Sequence, residues 1–235
     1  MHIYNDTMFK DLIRILFNIQ KRRWFSFLLI LFVSLPAFSQ EWNLKKEEDG
    51  IKIFTRFIPG TEFEEVRCTV SIKTRLSSFV AMLKDIEGYT EWAFNCVETK
   101  LLETINDTVL IYYTHTSLPW PANDRDLILR LSLYQDPLTF EVKTNAYSVP
   151  GFVKEKEGIV RITNAKTAWN LSPRPGGFVE VDYFASFGAG GSIPAWLINS
   201  TITYGPLQSM QKIKKLLEDG KYKNAVFWFV KELRE

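Results

Sequence analysis

Histidine and cysteine are scarce in this chain of 235 residues, which contains two of each. Only one histidine, His115, lies beyond residue 39, and the cysteines are Cys68 and Cys96. Two cysteines and one histidine cannot complete a tetrahedral zinc site by themselves. We therefore predict neither a metal centre nor a cofactor.

The chain also lacks an apolar run that would cross a bilayer comfortably, since a span takes about 20 residues. The apolar stretch 24–35 follows the basic triplet 21–23 (KRR), and 36–39 (PAFS) places small residues just before Gln40. This pattern is typical of a secretory signal peptide, here 1–39, ahead of a domain at 40–235. Export would place the domain in the periplasm or outside the cell, free or membrane-associated. An uncleaved membrane anchor is the alternative.

The predicted domain has no excess of charge of either sign. Removing 1–39 takes away five basic and two acidic residues and leaves 24 basic and 25 acidic ones, a net charge of −1. With no long basic run, nucleic acid is not predicted as a partner. Hydrophobic residues make up 46% and aromatic residues 14% of the chain, so one sizeable core can form. No repeat or long linker divides it.

Hydrophobic periodicity predicts a mainly antiparallel strand protein that ends in a long helix. A helical turn is expected at 41–46 and helices at 76–85, with Ser77 or Ser78 as N-cap, and at 89–95. A last helix at 194–215 should be kinked at 205–206, and a short apolar helix should follow at 225–233. Strands are predicted at 51–56, 64–73, 97–104, 108–117, 125–134, 139–147, 158–164, 166–172 and 178–187.

The most informative segment is 118–126 (LPWPANDRD), in which two prolines bracket a tryptophan and an Arg-Asp pair opens an apolar strand. The prolines force extended backbone around Trp120. This segment resembles the START (steroidogenic-acute-regulatory-related lipid-transfer) domain, and the resemblance extends over about 41–217. Further motifs that agree with it are Trp42, 49–56 (DGIKIFTR), 169–173 (WNLSP) and 190–197 (GGSIPAWL).

The resemblance implies an α+β helix-grip fold, in which a curved antiparallel β-sheet grips a long C-terminal helix around an apolar cavity. It implies the binding of a lipid or another hydrophobic small molecule, with transfer and transient membrane contact as further expectations. We also expect a monomer. The cavity should open at 188–192 and at the first turns of the last helix. Cys68 and Cys96 should lie on strands at opposite ends of the sheet, which favours two buried thiols over a disulfide.

The cavity implied by the resemblance should be lined by the inward faces of the strands and by the last helix. Leu131 stands where some steroid-binding relatives carry a charged residue, which suggests a more uniformly apolar contact with the ligand. The predicted ligand-binding residues are Tyr113, His115, Arg125, Leu129, Leu131, Val142, Thr144, Trp169, Val181, Tyr183, Trp196 and Asn199.

Two other functions stay open at this point. One is a cyclase or aromatase on the same scaffold, with His115 and Tyr183 as the catalytic groups, and the other is a ligand-free interaction domain with a solid core. No serine or cysteine nucleophile motif accompanies His115, which is also interpreted as a neutral core histidine satisfied by a neighbour. Arg125 could contact a ligand anion or, with Asp126, brace the neighbouring loop.

Two further patterns carry no predicted chemistry. Glu180 and Asp182 share one strand face that should be turned to water. The glycine-rich segment 188–192 lacks the lysine of a phosphate-binding loop.

Overall fold

The computed structural model of the protein describes residues 14, 41–120, 122–188, 199 and 202–233. The predicted signal peptide, the predicted start of the last helix, Trp196 and most of 188–192 lie outside these residues. The strands are β1 Asn43–Glu48, β2 Ile51–Phe57, β3 Glu64–Lys73, β4 Cys96–Asn106, β5 Val109–Thr116, β6 Asp124–Gln135, β7 Val142–Ser148, β8 Ile159–Arg161, β9 Ala165–Arg174 and β10 Phe178–Phe187. The helices are α1 Leu76–Lys84, α2 Tyr89–Trp92 and α3 Tyr204–Glu218.

All ten strands form one curved sheet with the order β1-β2-β3-β10-β9-β7-β6-β5-β4. Neighbouring strands along this path are antiparallel, and β8 is added in parallel to the start of β6. The concave sheet and the C-terminal helix confirm the α+β helix-grip fold.

Helices α1 and α3 bury their apolar stripes on one face of the sheet. In α3 the buried residues Leu207, Met210, Ile213 and Leu217 recur at helical spacing, and this helix packs against β2 and β3. In α1 seven of nine residues are buried, including Phe79, because that helix lies inside the main core.

The segment predicted as a first helical turn at 41–46 is instead strand β1. It pairs with β2 through a two-residue Asp49-Gly50 turn, whose φ angles of 54° and 76° favour aspartate and glycine. The turn also contacts α3, since Gln211 Nε2 donates to Asp49 Oδ2 at 2.9 Å and Lys214 Nζ to the Asp49 carbonyl at 3.1 Å. The hairpin therefore fastens the middle of α3 to the edge of the sheet.

The face of β5 that points to the main core differs from the prediction. Leu110 and Tyr112 belong to the main core, whereas Ile111 and Tyr113 form a small cluster with Ile128 on the opposite face. Four consecutive buried residues leave β5 without a polar–apolar alternation that could identify its inner side. The pairing of β5 with β6 therefore determines which side chains of β5 face the main core.

The last helix begins later in the described chain than predicted. Residue 199 is helical, 202–203 form a turn, and α3 starts at Tyr204. Gly205 and Pro206 therefore lie in its first turn, where proline is tolerated, rather than at a kink in its middle. A Cβ on Gly205 would lie 2.9 Å from Phe94 Cδ1, so glycine permits the close approach.

The C-terminal segment 225–233 forms turns and extended chain, so the helix predicted there is wrong. Its side chains alternate along the chain, because Val226 and Trp228 are exposed while Phe227 and Phe229 pack against the core. Glu232 accepts hydrogen bonds from the backbone N–H groups of Leu76 (3.0 Å) and Ser77 (2.9 Å).

This carboxylate therefore caps α1. Arg75 occupies the N-cap position without a side-chain cap, which corrects the prediction that Ser77 or Ser78 would take that role.

Cys68 and Cys96 are both free and buried. Cys68 lies on β3 and Cys96 on β4, and five strands separate these two in the sheet order. Burial raises the pKa of both thiols. The two cysteines are therefore separate, un-ionised core residues.

Candidate functional site

A cavity of about 820 Å³ lies between the concave face of the sheet, α1, α2 and the first turns of α3. Its walls are mainly apolar and aromatic. The strand residues that line it are Glu64, Val66, Val97, Tyr112, Thr114, Thr116, Leu127, Leu129, Leu131, Thr167, Trp169, Tyr183 and Phe187. The helix and loop residues are Leu83, Tyr89, Trp92, Ala93, Phe94, Asn95, Ser117, Leu118, Pro119, Ile202, Tyr204, Gly205, Pro206, Ser209 and Met210.

Aromatic rings form one wall of the cavity. Trp169 packs against Tyr183 with ring centroids 4.3 Å apart and edge-on against Trp92 at 6.4 Å, while Trp92 lies 4.5 Å from Tyr89. Burial raises the pKa of Tyr89, Tyr112 and Tyr183, so these phenols stay neutral. This wall offers an apolar surface with a few uncharged polar atoms.

Four of the predicted site residues line the cavity: Leu129, Leu131, Trp169 and Tyr183. Val142, Thr144 and Val181 are buried in the same core without lining it. Thr144 instead positions the wall, because its hydroxyl accepts a hydrogen bond of 3.1 Å from the Trp169 backbone N–H.

Asn199 also lies outside the lining, and Trp196 is not among the described residues. The Asn199 side chain fastens the start of β3. Its Nδ2 donates to the Glu62 carbonyl at 3.0 Å, and its Oδ1 accepts from the Glu64 N–H at 3.3 Å.

Tyr113 and His115 do not reach the cavity, because they lie on the outer face of β5, opposite Tyr112 and Thr114. His115 Nε2 is 2.8 Å from Asp124 Oδ2, and its Nδ1 is 3.9 Å from Glu98 Oε2. A carboxylate can only accept here, so Nε2 carries the proton. The His115–Asp124 pair braces the loop before β6.

Asp124 holds the loop directly, since its Oδ1 accepts the Leu118 N–H at 3.1 Å. That bond, together with His115, lowers the pKa of Asp124. The carboxylate is therefore ionised at neutral pH.

Arg125 and Asp126 have structural contacts. Arg125 lies in register with Thr116 but outside the lining, and its Nη1 donates to the carbonyls of Asn123 (2.6 Å) and Asp124 (3.2 Å). Asp126 forms a two-bond ion pair with Arg161, at 2.5 and 2.9 Å. Arg161 also donates to the Val153 carbonyl, so the pair joins β6 to the loop before β8.

Glu180 and Asp182 lie on the outer face of β10. Arg174 contacts Glu180, and Arg67 contacts Asp182 through two bonds of 2.7 and 2.8 Å. Each carboxylate is therefore engaged in an ion pair away from the cavity.

The mouth of the cavity is apolar and partly exposed. Leu118 and Pro119 line it, and the adjoining Trp120 is 92% exposed. Val97, Phe187 and Tyr204 are also exposed large side chains and line the same opening. The sequence singled out 118–126 as a motif but gave no indication that its tryptophan would face solvent.

A second depression, of about 870 Å³, lies where the β9–β10 hairpin meets the start of α1. Its arginines are engaged with acids, because Arg174 bonds Glu180 and Arg75 lies 3.4 Å from Glu232. We assign it no ligand.

Two kinds of feature are missing from the described part of the chain. It contains no cluster of three or more His, Cys, Asp or Glu side chains that could hold a metal ion. None of the helices in these ranges is both long and apolar enough to cross a membrane.

Comparison with known proteins places this fold and cavity in a family. No family model matches the chain. The crystal structure of the STAR-related lipid transfer protein of Xanthomonas axonopodis is 30% identical, covers 75% of this chain and 98% of its own, and has a TM-score of 0.70. The chain belongs to the START-related lipid-transfer family.

Two further relatives match over a similar extent of the chain. An uncharacterized protein of Pseudomonas aeruginosa is 28% identical over 77% of this chain and 89% of its own. The phosphatidylcholine transfer protein of Rattus norvegicus is 28% identical over 68% of this chain and 75% of its own. Each of these matches covers between 68% and 77% of the chain.

Proposed function

We propose that this protein binds one lipid molecule in its cavity and transfers it between membranes. The observation that carries the proposal is the cavity of about 820 Å³ with apolar and aromatic walls, because such sites bind ligands mainly by burial. Two relatives, a STAR-related lipid transfer protein and a phosphatidylcholine transfer protein, support it.

Burial alone is sufficient to hold a lipid. Each buried CH₂ group contributes about 0.8 kcal/mol, so a chain of ~16 carbons gains on the order of 13 kcal/mol before entropic costs are subtracted. No catalytic group is required.

The mouth supports a direct contact with the membrane. Trp120 is 92% exposed beside Leu118 and Pro119 at the opening. Indole rings favour the boundary between headgroups and acyl chains. We infer that the protein, as a monomer, docks with this opening against the bilayer, so that a lipid passes without crossing water.

The N-terminal pattern supports export. Segment 1–39 has the charge and apolar pattern of a secretory signal peptide. We infer that the domain acts in the periplasm or outside the cell. Protein recovered from that fraction should begin at Gln40 by N-terminal sequencing, whereas a chain that keeps 1–39 would contradict export by cleavage.

The cyclase alternative loses its proposed catalytic group. His115 lies on the outer face of β5 and hydrogen-bonds to Asp124, so it cannot act on a molecule in the cavity. Tyr183 lines the cavity, but burial raises its pKa, which makes it a poor base. No observation favours this alternative.

The deciding experiment is native mass spectrometry of the purified protein, followed by organic extraction and lipid analysis. A stoichiometric lipid is expected, and it should be lost in Leu131→Trp, which fills the cavity. Leu138→Trp is the matched control, because Leu138 is 87% exposed and outside the lining. A lipid-free protein that takes up nothing from vesicles would overturn the proposal.

A further inference from the structure

Five aromatic rings form a continuous arc along the wall of the cavity, and a tyrosine stands at each end of it. Tyr183 packs on Trp169 with ring centroids 4.3 Å apart, and Trp169 meets Trp92 at 6.4 Å. Trp92 lies 4.5 Å from Tyr89, whose ring is 5.5 Å from that of Tyr112. Rings at these distances pack directly on one another, so packing fixes the positions of the two terminal tyrosines.

Both terminal tyrosines lie well inside the mouth. Tyr183 stands four residues before Phe187 on β10, and Tyr112 stands four residues before Thr116 on β5. Phe187 borders the opening, and Thr116 lines the cavity two residues before Leu118 of the mouth. β5 and β10 run in the same direction, because four antiparallel pairings separate them in the sheet. At about 3.3 Å per residue, each tyrosine is about 13 Å further in along its strand.

The two terminal hydroxyls are donors without an aligned acceptor. Tyr89 uses its only O–H on the Leu83 carbonyl at 2.7 Å. The Tyr112 hydroxyl is close to Tyr89, but neither it nor the Tyr183 hydroxyl forms a hydrogen bond of good geometry with a described residue. Burial raises the pKa of Tyr183, with smaller contributions from Cys68 and Tyr112, so this hydroxyl keeps its proton at neutral pH. Burial likewise raises the pKa of Tyr112, against a smaller opposite effect of Tyr89.

Both hydroxyls keep some surface open to the cavity. The side-chain atoms that are fully buried without a partner in the described ranges are Thr55 Oγ1, Trp92 Nε1 and the Tyr113 hydroxyl. The hydroxyls of Tyr112 and Tyr183 are not among these atoms, and both residues line the cavity. A molecule in the cavity can therefore reach them.

These hydroxyls favour a ligand that brings oxygen to the inner wall. A hydrocarbon chain lying over the arc would remove water from both hydroxyls and offer no acceptor in return, which is unfavourable for buried polar groups. An alcohol, ester or carboxyl oxygen at the same place would accept their protons.

We propose that Tyr112 and Tyr183 bind the polar end of the lipid by donating hydrogen bonds to its oxygen, so that this end lies innermost and the hydrocarbon chain extends towards the mouth. The proposal rests on the proposed lipid-binding function, to which it adds the orientation of the lipid and the residues that recognise it. The ligand class is a lipid whose polar end carries an acceptor oxygen.

The test compares two C18 probes that differ in one oxygen, oleyl alcohol and 1-octadecene, each supplied from methyl-β-cyclodextrin. Tyr112→Phe and Tyr183→Phe keep the rings and remove the hydroxyls. Each variant should bind oleyl alcohol about three- to tenfold more weakly than wild type, and 1-octadecene no more weakly. Tyr134→Phe is the matched control, because Tyr134 is 60% exposed and outside the lining, and it should bind both probes as wild type does.

The outcomes separate this proposal from lipid binding itself. Unchanged binding of oleyl alcohol in both phenylalanine variants would overturn the role of the hydroxyls, and equal weakening for the two probes would overturn it as a packing defect. Wild-type protein that carries a lipid but does not prefer oleyl alcohol to 1-octadecene would overturn it as well, with lipid binding intact. Protein that binds no lipid at all would overturn both proposals.

Nuclear Overhauser effects between protein and bound oleyl alcohol measure the orientation in the unmodified chain. The CH₂OH protons should show contacts with the ring protons of Tyr112 and Tyr183, and the terminal methyl group should contact residues nearer the mouth, such as Leu118 or Phe187. Contacts of the terminal methyl group with the two tyrosine rings would reverse the orientation and overturn the proposal.

Discussion

At the scale of single residues, the polar side chains at the start of β6 maintain the geometry around the mouth rather than contact its contents. Asp126 is 1% exposed and pairs with Arg161, while Asp124 bonds both His115 and the Leu118 N–H. Arg125 donates to the carbonyls of Asn123 and Asp124, so both residues of the Arg-Asp motif have structural contacts.

Asp126→Ala should lower the free energy of unfolding by about 3–5 kcal/mol, because it leaves the Arg161 guanidinium buried without its partner. Glu180→Ala breaks an exposed pair with Arg174 and should cost at most about 1 kcal/mol. Urea unfolding measures both. Equal losses in the two variants would contradict the role given to Asp126.

Asp124 should make the free energy of unfolding depend on pH in the acidic range. Its pKa is lowered by the Leu118 N–H and by His115, so its stabilising effect is complete above the unfolded-state pKa of about 3.9 and is lost as the pH falls through the native pKa. Asp124→Asn should therefore be less stable than wild type at pH 7, and the difference should disappear towards pH 2.

The same series of unfolding curves with Glu103→Gln, an exposed change on β4, provides the control. A difference between wild type and Asp124→Asn that stays constant down to pH 2 would contradict this prediction.

At the scale of elements, hydrophobic periodicity predicts where most strands lie but does not always predict which of their faces points to the core. The strands from β2 to β10 lie close to their predicted ranges because polar and apolar residues alternate along most of them. β5 is buried on both sides, so only its pairing with β6 shows which side chains face the cavity. Tyr113 and His115 were assigned to the wrong face for this reason.

Other elements depend on partners that are distant in sequence. β1 carries Lys45, Lys46, Glu47 and Glu48 and becomes a strand because β2 offers a free edge. Leu83, Tyr89 and Trp92 were missed as cavity residues, since a helix that faces a cavity and one that faces a solid core have the same apolar pattern.

The cap of α1 by Glu232 gives a prediction at this scale. Glu232→Ala removes two hydrogen bonds from the first turn of the helix and should cost about 1–2 kcal/mol. It should also release the C-terminal segment, with faster amide exchange at Leu76 and Ser77 than in wild type or in Glu103→Gln. Unchanged exchange at these amides would contradict the cap.

At the scale of the whole molecule, the proposed membrane docking involves residues other than those that line the cavity, so a variant can test it separately from lipid binding. Trp120→Ala should slow lipid transfer between vesicles by about tenfold, because an exposed indole no longer enters the interface, while the amount of lipid bound at equilibrium stays the same. Trp228→Ala changes another highly exposed tryptophan outside the lining and should leave the transfer rate unchanged. Equal effects of both variants would argue against docking through the mouth.

The β1–β2 hairpin determines which part of α3 can move away from the sheet. Gln211 and Lys214 hold the middle of this helix to the Asp49-Gly50 turn, whereas Tyr204 and Gly205, two turns earlier, border the opening. Any outward swing of the helix must then pivot near Gln211 and move only its first turns. The opening can then widen at the first turns of α3 while the rest of this helix stays packed on the sheet. Removing the two hydrogen bonds to Asp49 would let a longer part of the helix move.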